Sequence, residues 1–308
     1  MRIVFMGTPD FAVPCLQRLI DCGHEVTGVF TQPDKPQGRK MILTPPPVKL
    51  LATQNSIPVY QPLKMKDGSA FEMLKEANPE LVIVVAYGKI LPKKILEYPQ
   101  YGCINIHASL LPELRGAAPI QWSVINGCKK TGVTSMQMDE GLDTGDMLLK
   151  EEIEIGENET AEDIHDKLSA LGADVLEKTI ETLLDGNLNP VKQDHDKFTY
   201  APMLSKELSP IDWNLSVDEI HNKIRGLYPW PSATAFINGK KVKIHRSIKV
   251  DDKGGSAGEI IEAGKRLVVS CGDGKCIEIT NIQAEGKKAM SSADYLRGNP
   301  LTAGEIFE

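Results

Sequence analysis

The 308-residue sequence has little cysteine and no long apolar run, and each shortage excludes a class of protein. Its six cysteines are scattered, and none forms a Cys-x-x-Cys pair. We therefore expect neither a disulfide framework nor a zinc site. No stretch approaches about 18 uninterrupted apolar residues, and the N-terminus has no long apolar run before a cleavage site. The sequence thus predicts a cytoplasmic protein that makes no contact with membranes.

The first elements of the sequence predict a doubly wound α/β fold, but they lack the glycine motif that binds dinucleotides. An apolar strand at Arg2–Met6 is followed by a turn, a helical stripe that ends near Gly23, and a second strand at Glu25–Phe30. This order is typical of an α/β fold with a doubly wound, mostly parallel, Rossmann-like sheet. The turn that starts at Gly7 lacks the Gly-x-Gly-x-x-Gly spacing, so we expect no dinucleotide cofactor.

Positive charge is scarce overall and is unevenly distributed. The net charge is −7, which would ordinarily argue against a polyanionic partner. From Lys206 onward, however, 15 Lys and Arg stand against 14 Asp and Glu, whereas the preceding residues have 20 against 28. The basic balance therefore belongs to the C-terminal part of the chain.

The stretch from Gly102 to Asp146 contains the residues best suited to chemistry. Asn105 and His107 lie two apart in an apolar run, so a strand would project both from one face. The turn-rich segment from Asp139 to Asp146 follows a second apolar run and contains several carboxylates. If this loop packs beside the strand, one of these carboxylates can orient the imidazole while the amide donates to an oxyanion. Taken singly, the histidine could be an ordinary core residue, and the acidic residues could serve only to form a turn. Together, the amide, the imidazole and a carboxylate suit acyl transfer.

The whole string closely resembles the folate-dependent formyltransferases. The resemblance includes Ser109-Leu110-Leu111-Pro112 and the run from Arg115 to Gln121. It implies a catalytic trio of Asn105, His107 and Asp143, with 10-formyltetrahydrofolate as co-substrate and no metal. Asn105 would donate to the oxyanion, His107 would stabilise it and assist proton movement, and Asp143 would hold the imidazole.

The folate site is expected at the carboxyl ends of two neighbouring strands. Leu81–Ala86 is apolar on both faces, as in a central parallel strand, and Tyr87–Pro92 follows it. Ligands of open α/β sheets bind outside such ends, so this loop and the one after His107 should form a shared crevice. As isolated segments, both would also read as ordinary turns. The resemblance implies that the folate contacts, largely through backbone, are Tyr87, Gly88, Ile90, Leu91, Ser109, Leu110, Leu111 and Pro112.

A basic, proline-rich segment extends from Gln32 to Lys49. It contains five prolines and four Lys or Arg residues, and proline removes backbone donors, so the pattern predicts a long loop. On composition alone it also fits a solvated connection. The resemblance implies an insertion that reaches the acceptor stem of a tRNA, with Arg39 as its main contact and Lys40 beside it.

The C-terminal part predicts a small antiparallel β-barrel of OB-like type. Asn238-Gly239 is a strong hairpin signal, and about five short strands are separated by glycines. Lysines on this hairpin either protect a solvated strand edge or contact RNA phosphates. Met203 stands where the family usually has a lysine. The lysines expected to contact tRNA are Lys206, Lys240, Lys241 and Lys243.

The resemblance covers essentially the whole chain and sets the predicted domains and function. Residues 1–188 would form the formyltransferase catalytic domain, 189–210 a linker and 211–308 the tRNA-binding barrel. The implied reaction transfers the formyl group of 10-formyltetrahydrofolate to the α-amine of initiator methionyl-tRNA, and we expect a monomer. An aminosugar nucleotide stays open as the acceptor, because such enzymes share the trio and a similar barrel. They should, however, lack the basic insertion.

Overall fold

The computed structural model describes residues 1–38 and 41–308, which divide into two compact units. The first unit comprises residues 1–116, 132–153 and 165–200. The second comprises residues 117–131, 154–164 and 201–308. Two short segments that precede residue 165 therefore pack with the C-terminal residues. The predicted domain boundaries at residues 188 and 210 remain a prediction from the sequence.

The elements from residue 1 to residue 184 are ten strands, six α-helices and the short 3-10 helix Asp10–Ala12 in the described residues. The strands are β1 (Arg2–Gly7), β2 (Glu25–Phe30), β3 (Lys35–Gln37), β4 (Ile42–Thr44), β5 (Val59–Tyr60), β6 (Leu81–Val85), β7 (Cys103–His107), β8 (Arg115–Gly116), β9 (Lys130–Gln137) and β10 (Met147–Glu154). The helices are α1 (Val13–Asp21), α2 (Pro47–Gln54), α3 (Ser69–Ala77), α4 (Lys93–Leu96), α5 (Pro119–Ile125) and α6 (Ala161–Leu184).

The main sheet has seven strands in the order β10-β9-β7-β6-β1-β2-β5. Strands β5, β2, β1, β6 and β7 pair in parallel, and β9 pairs with β7 in the antiparallel sense. Every residue of β6 is buried, as its uninterrupted apolar run requires of a strand covered on both faces. The predicted doubly wound, mostly parallel sheet is confirmed.

The proline-rich segment contains more regular structure than the sequence predicts. Strands β3 and β4 form an antiparallel pair, and helix α2 begins at Pro47. Proline suits the first turn of a helix, where the missing N–H has no partner to lose, so a proline cluster can precede a helix as well as fill a loop. Met41, Ile42 and Leu43 are exposed. Arg39 and Lys40 lie outside the described residues.

The remaining elements are seven strands, two α-helices and the short 3-10 helix Lys206–Leu208 in the described residues. The strands are β11 (Tyr200–Ala201), β12 (Ala233–Ile237), β13 (Lys240–Val250), β14 (Ile260–Ala263), β15 (Leu267–Ser270), β16 (Cys276–Ala284) and β17 (Met290–Ser291). The helices are α7 (Val217–Gly226) and α8 (Ser292–Gly298). Among the helices of the described residues, none has both the length and the apolar character to cross a membrane.

The C-terminal sheet has the strand order β12-β13-β16-β15-β14, with β17 paired to β16. Residues 304–308 connect its two edge strands, β14 and β12. The N–H of Gly304 donates to the carbonyl of Ile260, the first residue of β14 (2.9 Å). At the opposite edge, Phe236 and Glu308 exchange two backbone hydrogen bonds of 2.7 and 2.8 Å. Residues 304–308 thus close the sheet, and the predicted antiparallel barrel is confirmed. Asn238 and Gly239 both have positive φ, as the predicted hairpin turn requires.

Candidate active site

Strand β7 presents Asn105 and His107 at the end of the parallel part of the sheet. Asn105 is opposite Val84 of β6 and Met136 of β9, so it is held from both sides by the strand ladder. The alternate residues Ile104 and Ile106 are buried in the core. Asn105 and His107 therefore share the other face, as the period of two predicts.

The His107 ring is buried and has a neighbour at each nitrogen. Its Nε2 lies 3.1 Å from the carbonyl oxygen of Leu114, to which an Nε2–H donates. Its Nδ1 lies 3.8 Å from Oδ2 of Asp143, and both side chains are largely shielded from solvent. The strand and the acidic loop thus meet as the sequence predicted, and a carboxylate faces the imidazole.

The carboxylate of Asp143 is fixed by the backbone of a second segment. The N–H of Gly116 donates to its Oδ2 over 2.8 Å. Asp143 itself has φ of 53°, a conformation that aspartate tolerates better than most residues. The side chain is therefore directed towards His107 by a turn conformation and by a hydrogen bond across the site.

The backbone of the same loop is held by Gln193, which sequence reasoning missed. Its Nε2 donates to the carbonyls of Asp143 (2.9 Å) and Gly145 (2.7 Å). Its Oε1 accepts from Nε and Nη2 of Arg115, at 2.9 and 2.7 Å. Both side chains are buried. A polar residue in an aperiodic, proline-flanked segment has no pattern that would reveal this burial.

The side-chain amide of Asn105 is not hydrogen-bonded to any of the described residues. The residue is half-buried. An amide N–H held on a strand beside an imidazole can donate to an oxygen that gains negative charge. The site can therefore stabilise a tetrahedral intermediate of acyl transfer.

In the loop after β6, the side chains of Tyr87 and Leu91 are buried, so this loop presents mainly backbone groups to a ligand. Tyr87 is buried and its hydroxyl donates to Sδ of Met65 over 3.4 Å, and burial raises the pKa of this phenol. Its carbonyl accepts from Nε2 of Gln32 over 3.0 Å, an anchor that the sequence did not indicate. Leu91 also belongs to the core, whereas Ile90 is 74% exposed. Gly88, with φ of 76°, makes the turn between them.

The loop after β7 is fixed internally. Ser109 Oγ donates to the carbonyl of Glu113 (2.7 Å), and Thr134 Oγ1 donates to the carbonyl of Ser109 (2.7 Å). Leu111 is buried and precedes Pro112 through a cis peptide bond. Leu110 and Pro112 are half-buried. Because β6 and β7 are parallel neighbours, these two loops leave the same edge of the sheet, as predicted.

The predicted tRNA-binding lysines that can be described are exposed and belong to the second unit. Lys206 lies on a short 3-10 helix, Lys206–Leu208. Lys240, Lys241 and Lys243 lie on β13, and the buried Val242 alternates with the last two. This alternation directs the amines outward from the barrel wall. Arg39 and Lys40, the two other predicted contacts, lie outside the described residues.

A cavity of about 790 Å³ lies in the second unit and contains none of the predicted site residues. Three of its charged groups are paired with one another, because Lys249 Nζ donates to Asp218 (2.6 Å) and lies 2.9 Å from Oε1 of Glu157. These two carboxylates raise the pKa of Lys249. In the described part of the chain, no three His, Cys, Asp or Glu side chains are grouped to hold a metal ion.

Comparison with known proteins identifies the family. Residues 1–180 match the family described as Formyl transferase, and residues 203–300 match Formyl transferase, C-terminal domain. The first match alone covers more than half of the chain, and it includes the trio. The chain belongs to the formyltransferase family.

Two relatives match the chain over its full length and are named methionyl-tRNA formyltransferase. The chain is 50% identical to the methionyl-tRNA formyltransferase of Alkaliphilus oremlandii, over 100% of this chain and 99% of that protein. It is 49% identical to the methionyl-tRNA formyltransferase of Clostridioides difficile, over the full length of both.

Solved structures share the fold at low sequence identity. The N-formyltransferase from Helicobacter canadensis, in complex with folinic acid and dTDP-3-aminofucose, has a TM-score of 0.72 at 21% identity. The alignment covers 92% of this chain and 98% of that one. HypX from Aquifex aeolicus, in complex with tetrahydrofolic acid, has a TM-score of 0.64 at 18% identity, over 96% of this chain and 47% of that one.

Proposed function

We propose that this chain transfers the formyl group of 10-formyltetrahydrofolate to the α-amine of methionine on initiator tRNA. The observation that carries the proposal is 50% identity, over the full length, to a relative named methionyl-tRNA formyltransferase. The grouping of Asn105, His107 and Asp143 supplies chemistry that suits this reaction. We further expect the chain to act as a monomer, which sedimentation would test.

The side chain of Asn105 acts on the oxygen of the formyl group. When the α-amine attacks the formyl carbon, the carbonyl oxygen gains negative charge in a tetrahedral intermediate. The Asn105 amide is held on β7 and has no partner among the described residues, so it can donate to that oxygen without first breaking another bond. A donor fixed in advance stabilises the transition state more than water does, because it need not reorganise.

His107 assists charge and proton movement at the same carbon. The attacking amine must lose a proton, and the folate nitrogen must leave with one. The Leu114 carbonyl holds one side of the ring and the Asp143 carboxylate faces the other, at 3.8 Å. An imidazolium in this position would be attracted to Asp143 while it stabilises the oxyanion beside Asn105.

The loops after β6 and β7 would hold the folate. The buried side chains of Tyr87, Leu91 and Leu111 shape these loops from below, so contacts to the ring would come from backbone groups and from the exposed Ile90. Heteroaromatic rings with several donors and acceptors are well matched to loop backbone. This supports the predicted folate role for Tyr87–Leu91 and Ser109–Pro112.

The exposed lysines of β13, with Lys206, Arg39 and Lys40, would contact the tRNA backbone. Phosphate contacts from lysine and arginine provide affinity that falls as salt is added. Lys240, Lys241 and Lys243 are exposed on one hairpin, and the last two alternate with the buried Val242, which supports a basic surface there.

A comparison of acceptors tests the proposal. Purified protein and 10-formyltetrahydrofolate would be mixed separately with initiator methionyl-tRNA, elongator methionyl-tRNA and a dTDP-linked aminosugar, and formylated product would be measured by mass spectrometry. We expect transfer to initiator methionyl-tRNA with a kcat/KM far above that for the other two. Preferential formylation of the aminosugar would refute the tRNA acceptor, and release of formate alone would indicate a hydrolase.

A further inference from the structure

We propose that Gln193 is a positioning residue for the reaction: its side-chain amide holds the loop that directs Asp143 at His107. The inference rests on the proposed function, because it assigns Gln193 a role in that same site. Gln193 lies 50 residues beyond Asp143 in sequence and does not touch the imidazole itself.

One amide fixes the loop backbone at two places. Nε2 of Gln193 has two hydrogens, and they meet the carbonyls of Asp143 and Gly145, which flank Thr144. The adjoining part of the loop, from Asp139 to Leu142, is exposed. Its side-chain bonds remain internal, since Asp139 Oδ1 accepts from Gly141 N–H and from the Thr144 hydroxyl. The Gln193 amide therefore ties the loop backbone to the interior.

Arg115 determines which way the amide faces. Its guanidinium is buried, lies 5.1 Å from the Phe198 ring, and directs two N–H groups at Oε1 of Gln193. The amide nitrogen must then face the two loop carbonyls, because a flipped amide would set N–H groups against the guanidinium.

Together these contacts form a closed circuit around Asp143. The side chain of Arg115 fixes Gln193, and Gln193 fixes the backbone of Asp143. The residue after Arg115 is Gly116, whose N–H holds the Asp143 carboxylate. The segment Arg115–Gly116 thus holds both the backbone of Asp143, through Gln193, and its carboxylate, through the Gly116 N–H. A shift of the loop would move Oδ2 away from its 3.8 Å approach to His107 Nδ1.

Gln193→Glu removes the donors while it keeps the packing. The new carboxylate has nearly the same shape and can still accept from Arg115, so the buried guanidinium remains paired. Its second oxygen cannot donate to the carbonyls of Asp143 and Gly145, which releases the loop. We expect kcat for formylation of methionyl-tRNA to fall by about 100-fold, because a displacement of about 1 Å can cost that much, with KM for the folate nearly unchanged. Gln17→Glu, on the surface of α1, is the matched control and should leave kcat unchanged.

Two measurements separate positioning from general damage. In an Asp143→Ala background, Gln193→Glu should lower kcat by no more than about twofold, because the residue it serves is gone. Hydrogen–deuterium exchange should also rise in peptides covering residues 139–146 in the single variant, and not in the Gln17→Glu control.

Distinct outcomes overturn the proposal. An unchanged kcat or unchanged exchange in the 139–146 peptides of Gln193→Glu would refute it. A full further 100-fold loss in the Asp143→Ala background would refute it also, since Gln193 would then act elsewhere. Absence of formyl transfer by the wild type would contradict the proposed function instead, and the exchange measurement would still decide whether Gln193 holds the loop.

Discussion

At the scale of single residues, the site depends on how a carboxylate is presented to an imidazole. Asp143 Oδ2 accepts from Gly116 N–H and faces Nδ1 of His107, while the opposite ring nitrogen is bonded to the Leu114 carbonyl. This arrangement fixes the ring in one plane. It also leaves the neighbouring Asn105 amide available for substrate, because no described residue bonds to it.

Neutralising Asp143 should therefore slow the reaction without unfolding the protein. Asp143→Asn keeps an oxygen for Gly116 but removes the charge that faces His107. We expect kcat to fall by about 100-fold, the order typical of acid–base assistance, with folate affinity unchanged. Glu140→Gln, in the same loop but exposed, is the control and should retain wild-type turnover. Steady-state kinetics with both variants would check this, and equal turnover would remove the carboxylate from the mechanism.

The residues that sequence could predict are those with a pattern. Asn105 and His107 follow from strand periodicity. The turn-rich segment after a second strand predicts a nearby carboxylate, and only the resemblance to the family selects Asp143 among those in the segment. Gln193 and Gln32 could not be found this way, because a glutamine that bonds to distant backbone carbonyls leaves no local signature. The side chain of Tyr87 is a different case, since it lies in the core although its loop is the predicted one.

At the scale of elements, the barrel hairpin combines burial with a basic face. Along β13 the buried Val242 and Ile244 alternate with the exposed Lys241 and Lys243, so one strand serves both the core and the surface. Lys241 pairs with Phe236 of β12, and Lys243 pairs with Gln283 of β16. The amines thus stand on a rigid ladder rather than on a mobile turn.

Removing these amines should weaken tRNA binding in a salt-dependent way. In the triple variant Lys240→Ala, Lys241→Ala and Lys243→Ala, we expect a higher KM for tRNA, an unchanged KM for the folate, and a slope of log affinity against log salt reduced by about 2 to 3. The control removes three exposed lysines elsewhere, namely Lys64, Lys265 and Lys275. Identical salt slopes in the two variants would show that the hairpin is only an edge protected by lysine.

The basic, proline-rich insertion from Gln32 to Lys49 contains two predicted tRNA contacts, Arg39 and Lys40, that lie outside the described residues. In the sequence Arg39 lies between β3 and β4, and Met41, Ile42 and Leu43 are exposed. Arg39→Ala should lower kcat/KM for methionyl-tRNA while formyl-folate hydrolysis stays unchanged. Arg39→Lys should restore only part of the activity, since lysine keeps the charge but not the planar fork. Kinetics on initiator tRNA, with Lys94→Ala as the control, would test it; equal kcat/KM for Arg39→Ala and wild type would contradict it.

The sequence predicted the parts of the fold that depend on local patterns. It predicted less well the contacts between residues that are far apart in the sequence. Apolar periodicity predicted the strands and helices of the main sheet, and Asn238-Gly239 predicted the hairpin between β12 and β13. Residues 304–308 close the barrel by bonding to Ile260 and Phe236, which are distant in sequence, so no local pattern could indicate it. The β3–β4 pair was missed because prolines there obscured a short ladder.

At the scale of the whole molecule, the two halves of the sequence are interleaved. Helix α5, from the N-terminal half, belongs to the second unit and packs on α7. A Cβ added to Gly226 on α7 would lie 2.5 Å from Cγ1 and 2.9 Å from the backbone nitrogen of Ile125. The two backbones can approach this closely only because residue 226 is glycine. A fragment ending near Ser205 would leave α5 without this partner, so tRNA binding is better tested in the full chain.

Gly226→Ala should therefore destabilise the protein. We expect the free energy of unfolding to fall by about 1 to 3 kcal/mol, the range typical of overpacking, because the backbone of Ile125 has to move. Gly264→Ala is the control, since a Cβ there meets no atom within 4 Å. Urea unfolding followed by tryptophan fluorescence would compare the two variants. Equal midpoints would show that the contact between α5 and α7 is looser than these distances indicate.

The most direct test of the account is formyl transfer from 10-formyltetrahydrofolate to initiator methionyl-tRNA by the wild type and by Asn105→Ala, with folate binding measured in parallel. We predict that the wild type formylates the tRNA. The variant should bind the folate equally well but turn over about 100- to 1,000-fold more slowly, as expected when one oxyanion donor is lost. Near-normal turnover by Asn105→Ala, or no formyl-methionyl-tRNA from the wild type, would contradict the account.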